Sequence, residues 1–469
     1  MSPRLHIAVA SILLLALCGL LPPRPATAQE YRQVLVQPDP GGVMVAASLR
    51  FPMGHEADPA GQEGTAFLLA RLLEREGERR LREEFSRIHI DVGRGEFLVT
   101  LLAPRETWAD AFRTVESLVQ EYAPAESELA PIRDAHLERL IFQAGAPVRE
   151  FEIERMRMLL GSSAPGARPS VGNRGSIQGV QAGGPTAFRN DHLMRSEAVV
   201  AVVGPITDSE VAAVVQGPRT EVPPPRSFVE APPLQPGRSD TLPGDPDSVQ
   251  RPNAPPETGP RPRLRLPSAE ASPLAIAGGE AGPRAWTSGE RSVVDRNLTS
   301  TWISVAWPFP AQSPRLLLDF LGRTLHEVVV SDPPEPGFYA AEVAVLEVEG
   351  TPVLVFSATV DPRTASRWEG RIVDAMGAVA DSPPAGAFFE LGRRRFRNAL
   401  FLDLSTPENR SAWLARQYAT RGDTPDLHDQ IWRISRESLA GAAAAAGPPR
   451  ILLFGPAAMM EEYGERDTP

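Results

Sequence analysis

Short apolar runs and helical apolar spacings fill two regions of the chain, residues 31–217 and 290–457. Continuous apolar runs are typical of buried strands, and apolar residues three and four positions apart predict amphipathic helices. The residues between these regions have almost no hydrophobic periodicity, and 218–286 hold 17 of the 49 prolines. Such a composition cannot bury enough surface to offset its ordering entropy, so we interpret residues 218–289 as an extended linker.

The two regions have the same order of strands and helices. In both, strands run into a proline, and the closing strand meets Gly-Pro. The matched pairs are Phe51-Pro52 with Phe309-Pro310, Pro104-Arg105 with Pro362-Arg363, and Gly204-Pro205 with Gly455-Pro456, the first two at an offset of 258 residues. The sequence therefore predicts an internal duplication with an α+β fold class: two homologous two-layer domains, each an antiparallel-rich sheet with helices on one face.

The N-terminal segment has the pattern of an export signal. Arg4 supplies a positive start, residues 7–21 are continuously apolar, and Ala26-Thr27-Ala28 forms a small-x-small cleavage site. We expect removal of residues 1–28, which contain Cys18, the chain's one cysteine, and a periplasmic or secreted mature protein without disulfides. No later apolar run reaches 18 residues, so no membrane span is expected. The predicted organisation is a signal peptide (1–28), a first domain (29–217), the linker (218–289), a second domain (290–457) and a tail (458–469).

Composition excludes several classes of function. The chain has 469 residues and a net charge of −11, and all 48 basic residues are arginine. Without lysine, Schiff-base chemistry, pyridoxal-phosphate enzymes and lysine-dependent phosphate loops are excluded. The acidic balance also argues against nucleic acid as a partner.

The stretch VMVAASLRFPMGHEADPAGQEGTAFLLARLLEREG, residues 43–77, resembles the opening of the pitrilysin/insulinase family of zinc peptidases. Mitochondrial processing peptidase belongs to this family. Two later segments, RMLLGSSAPGARPSVGNRGSIQGV and SEAVVAVVGPITDSEVAAVV, are similar to the end of the family's first domain. The resemblance implies duplicated domains with the LuxS/MPP-like metallopeptidase fold.

The family binds zinc through an H-x-x-E-H motif at the start of a helix. Aligning Gly64-Thr65-Ala66 with the family's G-L-A places Phe67 and Arg71 at the ligand positions and Ala70 at the general base. None of the three can do this work, because Phe67 and Ala70 lack donor atoms and Arg71 keeps its positive charge. The resemblance places the third ligand near Glu138 or Arg139. We therefore expect no catalytic residue, no metal and no cofactor.

The sequence contains no other local motif that would replace this one. The six histidines of the mature chain lie at least 34 residues apart, so no local histidine pair exists; they are His55, His89, His136, His192, His326 and His428. His55-Glu56 is the most tempting small cluster, and we interpret it as a surface pair. No G-x-S-x-G elbow is present. The glycine-rich residues 172–184 predict a flexible surface loop; the resemblance offers a substrate-guiding loop as the alternative.

The family also grips the substrate backbone with an arginine and a tyrosine from its second domain. The resemblance places Tyr339 at the tyrosine position, and no arginine closely precedes it. Tyr339 is therefore a candidate substrate-binding residue. The alternative, which we favour, is an aromatic residue at a strand start that packs on the core.

Two main hypotheses of function follow, and a third, an enzyme with a relocated site, is the least favoured. The first is an exported non-catalytic homologue, the inactive subunit of a heterodimeric peptidase, which completes the chamber and binds peptide substrates while a catalytic zinc-peptidase subunit of the same family supplies the metal. The alternative is a periplasmic peptide-binding or scaffold protein without a peptidase partner.

Overall fold

The computed structural model of the protein describes residues 30–143, 145–221, 289–330, 336–422 and 426–464. The predicted signal peptide and nearly all of the predicted linker lie outside these residues. We call residues 30–221 the first half and residues 289–464 the second half.

Eleven strands form two sheets within the described residues. The strands are β1 (Gln33–Pro38), β2 (Met44–Phe51), β3 (Arg87–Val92), β4 (Phe97–Pro104), β5 (Val199–Gly204), β6 (Arg219–Glu221), β7 (Glu290–Asp295), β8 (Thr301–Pro308), β9 (Phe338–Val348), β10 (Thr351–Val360) and β11 (Arg450–Gly455). The first half also contains α1 (Thr65–Leu81), α2 (Trp108–Glu121), α3 (Glu126–Phe142), α4 (Pro147–Leu160), α5 (Arg174–Gly179), α6 (Gly183–His192) and α7 (Asp208–Ala212). The second half contains α8 (Arg315–Val329), α9 (Ala365–Asp381), α10 (Gly386–Asp403), α11 (Pro407–Arg421), α12 (Leu427–Arg433), α13 (Arg436–Ala444) and α14 (Ala457–Gly464).

The five strands of the second sheet have the same topology as five of the six strands of the first sheet. The first has the order β3-β4-β2-β5-β1-β6, and the second, read from its other end, has the order β9-β10-β8-β11-β7. In each, the central strand (β2 or β8) is antiparallel to both neighbours, and an outer pair (β1 with β5, β7 with β11) is parallel. The duplication and the predicted fold class are therefore confirmed. The domain limits stay predictions; β6 lies beyond residue 217, and α14 extends from residue 457 into the predicted tail.

Each half covers the second face of the other half's sheet. In β1, Val34 and Val36 face the first half's own helices, whereas Leu35 packs with Leu414 and Ala415 of α11. Because both faces of the sheet are covered, β2, β4 and β5 are buried along nearly their whole length rather than at alternate positions. The predicted arrangement, with helices on one face of each sheet, holds for the helices of the same half. On the first sheet, α11 of the second half covers the opposite face.

Helix α4 makes the reciprocal contact with the second sheet. The Phe151 ring packs edge-on against Trp302 and Phe454, with centroids 5.3 and 5.9 Å away. Leu159 and Leu160 continue this contact with residues of β8 and β10. The two halves therefore share their cores by exchanging one helix each.

Buried polar contacts also join the halves. Arg416 of α11 approaches Glu96 with Nη2 2.8 Å from Oε1, and the other oxygen of Glu96 accepts from Arg50 Nε at 3.0 Å. Arg50 and Glu96 are each only 1% exposed. The hydroxyls of Ser48 and Ser411 lie 2.8 Å apart. Because buried charges are costly when separated from their partners, this network favours one fixed arrangement of the halves.

Candidate functional site

Helix α1 carries the three residues at the degenerate motif, and Asp58 fixes the start of this helix. The Asp58 carboxylate accepts from the backbone N–H of Gly64 at 2.7 Å and of Ala66 at 2.8 Å. Burial raises the pKa of Asp58 to about 7, although these two hydrogen bonds act in the opposite direction. A side chain that accepts hydrogen bonds from the first N–H groups of a helix stabilises that end.

The motif residues on α1 form a packed surface without metal-donor atoms. Phe67 is half-buried, and its ring lies against His136 of α3, with centroids 4.5 Å apart. Ala70 is fully buried in the core of the first half. The guanidinium carbon of Arg71 lies 5.3 Å from the centroid of the Phe67 ring. A phenyl ring, a methyl group and a guanidinium cannot ligate a cation.

Arg71 is held by both a charged and a backbone partner. Its Nη1 lies 2.5 Å from Glu74 Oε2, and its Nη2 donates to the carbonyl of Ile90 at 3.2 Å. The fixed positive charge therefore lies at one of the positions where the family has a zinc ligand, and it repels divalent cations.

On α3 the side chain that contacts this surface is His136. Its Nε2 lies 2.8 Å from the carbonyl of Val171, so Nε2 carries the proton and Nδ1 presents a lone pair. Nδ1 is buried without a hydrogen-bond partner, and burial lowers the pKa of the imidazole. Glu138 and Arg139, near which the third ligand was expected, are exposed. His136 was missed, although the buried residues Leu129, His136 and Leu140 follow a helical spacing.

The residues present do not fit a zinc ion. Within the described ranges, no group of three or more His, Cys, Asp or Glu side chains could hold a metal. One imidazole next to a fixed guanidinium does not make a metal site.

His89 lies beside the motif and is bracketed by two carboxylates. Its Nε2 is 3.1 Å from Asp91 Oδ1, and its Nδ1 is 3.0 Å from Glu74 Oε1. The hydrogen bonds to Asp91 and Glu74 raise the pKa of His89 to about 10. The residues Arg71, Glu74, His89 and Asp91 therefore form a charge network along the edge of β3. Glu74 is only 8% exposed although it lies in a charge-rich part of α1.

The interpretation of His55-Glu56 as a surface pair was wrong. His55 is buried, and burial together with the charge of Arg94 lowers its pKa to about 4. Its backbone N–H donates to the carbonyl of Gly93 at 3.0 Å. His55 is therefore a neutral residue of the turn before α1.

Tyr339 lies near the start of β9 and is 59% exposed. The interpretation of Tyr339 as a core aromatic was wrong, because the neighbouring Phe338 has that role. The Phe338 ring lies 4.6 Å from the Trp368 ring. Tyr339 is therefore free to contact a ligand, and its role in substrate binding stays a prediction.

The glycine-rich residues 172–184 form α5 and the start of α6 rather than a loop. Asn173 caps α5 by accepting from the N–H of Gly175 and Ser176. Next to α6 lies a cavity of about 520 Å³, lined in part by Gln62, Gly183 and His192.

In the described part of the chain, no helix is long and apolar enough to cross a membrane.

Neither the protein-family models nor the curated protein sequences give a match to this chain. Solved structures do match its fold. A structure from Pseudomonas fluorescens, described as a peptidase M16 inactive domain, has a TM-score of 0.65 and 13% identity, covering 92% of this chain and 96% of that chain. A protease from Helicobacter pylori has a TM-score of 0.65 and 14% identity, with 90% and 96% covered. The periplasmic protease PqqL from Escherichia coli has a TM-score of 0.62 and 11% identity, with 88% of this chain and 43% of that chain covered.

These matches show that the chain has the M16 peptidase-like fold, the fold of the pitrilysin/insulinase family. The resemblance stated from the sequence is thereby confirmed for the fold, with the zinc motif replaced on α1.

Proposed function

We propose that this protein is an exported, non-catalytic M16-like subunit that works with a catalytic zinc-peptidase subunit of the same fold. The observation that supports this proposal most directly is the packed surface of Phe67, Ala70 and Arg71. The chain keeps the fold and the cap of α1 while it lacks the donors for zinc. In this proposal the partner supplies the metal, and this chain completes the chamber around the peptide.

The outer edge of β9, which pairs with no further strand among the described residues, supports peptide binding by the second half. β9 is an eleven-residue strand at the end of its sheet, and Tyr339 and Ala340 near its start are exposed. The carbonyl of Ala341 in β9 accepts a hydrogen bond from His326 of α8. An extended peptide can add to such an edge through its main chain.

A substitution at Tyr339 tests the peptide-binding part of the proposal. Tyr339→Ala should weaken the binding of an unfolded peptide about fivefold, because an aromatic contact contributes about 1 kcal/mol. Fluorescence anisotropy with a labelled peptide measures this affinity. Phe142→Ala is the matched control, since Phe142 is 91% exposed but lies in the first half. Equal affinities of the Tyr339 variant and the native protein would contradict this role.

Co-purification from the native host tests the subunit proposal. The tagged full chain should bring down a chain of similar size with an intact H-x-x-E-H motif, and the complex should cleave peptides in a chelator-sensitive way. Recovery of this chain alone would contradict the proposal. With peptide affinity retained, that result would instead support a peptide-binding or scaffold protein, which the outer edge of β9 also favours.

A further inference from the structure

Side chains of α1 form hydrogen bonds with the backbone of β3 along the edge where no further strand of the described residues pairs. This strand lies at the end of the first sheet, and its Ile90 stands opposite Val99 of β4. The N–H of Ile90 donates to Glu74 Oε1 at 2.7 Å, and its carbonyl accepts from Arg71 Nη2 at 3.2 Å. In an antiparallel pair, both backbone groups of a residue point either towards the partner strand or away from it. The two groups of Ile90 therefore point to the side where a further strand would pair.

We propose that Arg71 and Glu74 form an edge plug that closes β3 to the addition of an extended polypeptide strand. A strand that pairs with β3 needs the N–H and the carbonyl of Ile90, and both side chains must leave before it can form those bonds. The residue at a zinc-ligand position of the family thus has a different task in this chain: it blocks the unpaired edge of β3. This inference does not depend on the existence of a peptidase partner.

Close packing and opposite charge hold the plug in place. A Cβ at Gly77 would lie 2.7 Å from Ile88 Cγ2, so α1 approaches β3 as closely as a glycine allows. This approach brings Arg71 and Glu74 within reach of the strand backbone. The two side chains also pair with each other at 2.5 Å. His89 Nδ1 lies 3.0 Å from the same Glu74 oxygen that accepts from Ile90.

The second half provides an internal comparison. A Cβ at Gly322 of α8 would lie 2.7 Å from Val343 Cγ1 of β9, which matches the approach of Gly77 to β3. Three residues before this glycine, Asp319 occupies the place that Glu74 has in α1. Asp319 Oδ1 accepts from Arg315 Nε of its own helix at 3.1 Å. Among the described residues, Glu74 therefore reaches the backbone of β3, whereas its counterpart Asp319 pairs within α8; the contact of α8 with the β9 backbone comes from His326, at the Ala341 carbonyl.

Hydrogen exchange of the full chain tests the edge plug. Mass spectrometry of fragments that contain residues 87–92 reports on the Ile90 amide. We expect Arg71→Ala/Glu74→Ala to speed the exchange of this amide about tenfold, because a lost hydrogen bond of about 1.4 kcal/mol corresponds to that factor. Arg79→Ala is the matched control, since Arg79 pairs with Glu76 on the exposed side of the same helix. Unchanged exchange in the folded double variant would overturn the proposal.

A second measurement uses the native protein and does not depend on the folding of a variant. A strand-forming peptide with a photoreactive group should label β9 and leave β3 unlabelled in the native chain. The double variant should gain labelling at β3 or form dimers through this edge. If the peptide labelled β3 as strongly as β9 in the native chain, this result would overturn the proposal that Arg71 and Glu74 close the edge of β3. Failure to find a peptidase partner would leave these results unchanged, so the two proposals fail separately.

Discussion

The imidazole of His136 packs on the phenyl ring of Phe67, with their centroids 4.5 Å apart. This contact joins α3 to α1 at the position of the degenerate motif. The family's zinc site is thus replaced by an aromatic pair, and Arg71 lies on the same Phe67 ring. One imidazole with a buried, unpartnered Nδ1 remains at this surface.

Restoring the motif should create a metal site. We predict that Phe67→His/Ala70→Glu/Arg71→His binds zinc at one ion per chain, because two imidazoles four residues apart on one helix face would meet the free Nδ1 of His136. The hydrogen bond from His136 Nε2 to Val171 would orient this third ligand. Isothermal titration calorimetry measures the affinity.

The control for this prediction removes the third imidazole. The same triple variant with His136→Ala should bind zinc at least about tenfold more weakly. A triple variant that folds and binds no zinc would show that α1 and α3 do not converge as described.

The exchanged helices should make the two halves unfold together. Phe151→Ala should lower the free energy of unfolding by about 3–5 kcal/mol, because it leaves a cavity between α4 and the second sheet. Urea denaturation followed by tryptophan fluorescence and circular dichroism should give a single coincident transition. Phe142→Ala, at an exposed site, should change stability by less than about 0.5 kcal/mol. Two separated transitions in the native protein would contradict the shared cores.

The charge of His89 should persist well above neutral pH. Its pKa is raised from an ordinary value of 6.5 to about 10, so the charged form is favoured in the folded state. This group therefore adds stability that is fully present below pH 6.5 and is lost as the pH rises through 10. Solvent screens the exposed imidazole, so the contribution to stability is small.

NMR titration of the imidazole resonances checks this pH dependence. His89 should remain protonated at pH 8, whereas burial lowers the pKa of His192, which serves as the comparison within the same protein. A titration midpoint of His89 near 6.5 would contradict the bracketing by Glu74 and Asp91.

The duplication could be predicted because, in both halves, largely apolar strands end at or next to a proline or a glycine. Phe51 and Pro104 indeed end β2 and β4, and Gly204 ends β5. The edge strand β3 was harder to identify, because its short alternation RIHIDV follows a charge-rich helix end. The exchange of α4 and α11 could not be predicted, because periodicity identifies a buried face and not the surface that covers it.

The candidate site was predictable where a motif fixed the residue positions. Phe67, Ala70 and Arg71 followed from the alignment of three neighbouring residues. His136 and the bond from Glu74 to Ile90 depend on contacts between separate elements, which spacing along one helix does not reveal. Tyr339 was wrongly placed in the core because the core aromatic is the preceding residue, Phe338. Neighbouring residues of a strand point to opposite faces, so an offset of one residue exchanges the buried face and the exposed face.

The zinc content of the purified native protein tests the central claim most directly. After dialysis against zinc, we predict far less than one equivalent of metal per chain and no cleavage of an unfolded peptide. One tightly bound zinc per chain, together with proteolysis that a chelator abolishes, would contradict the account.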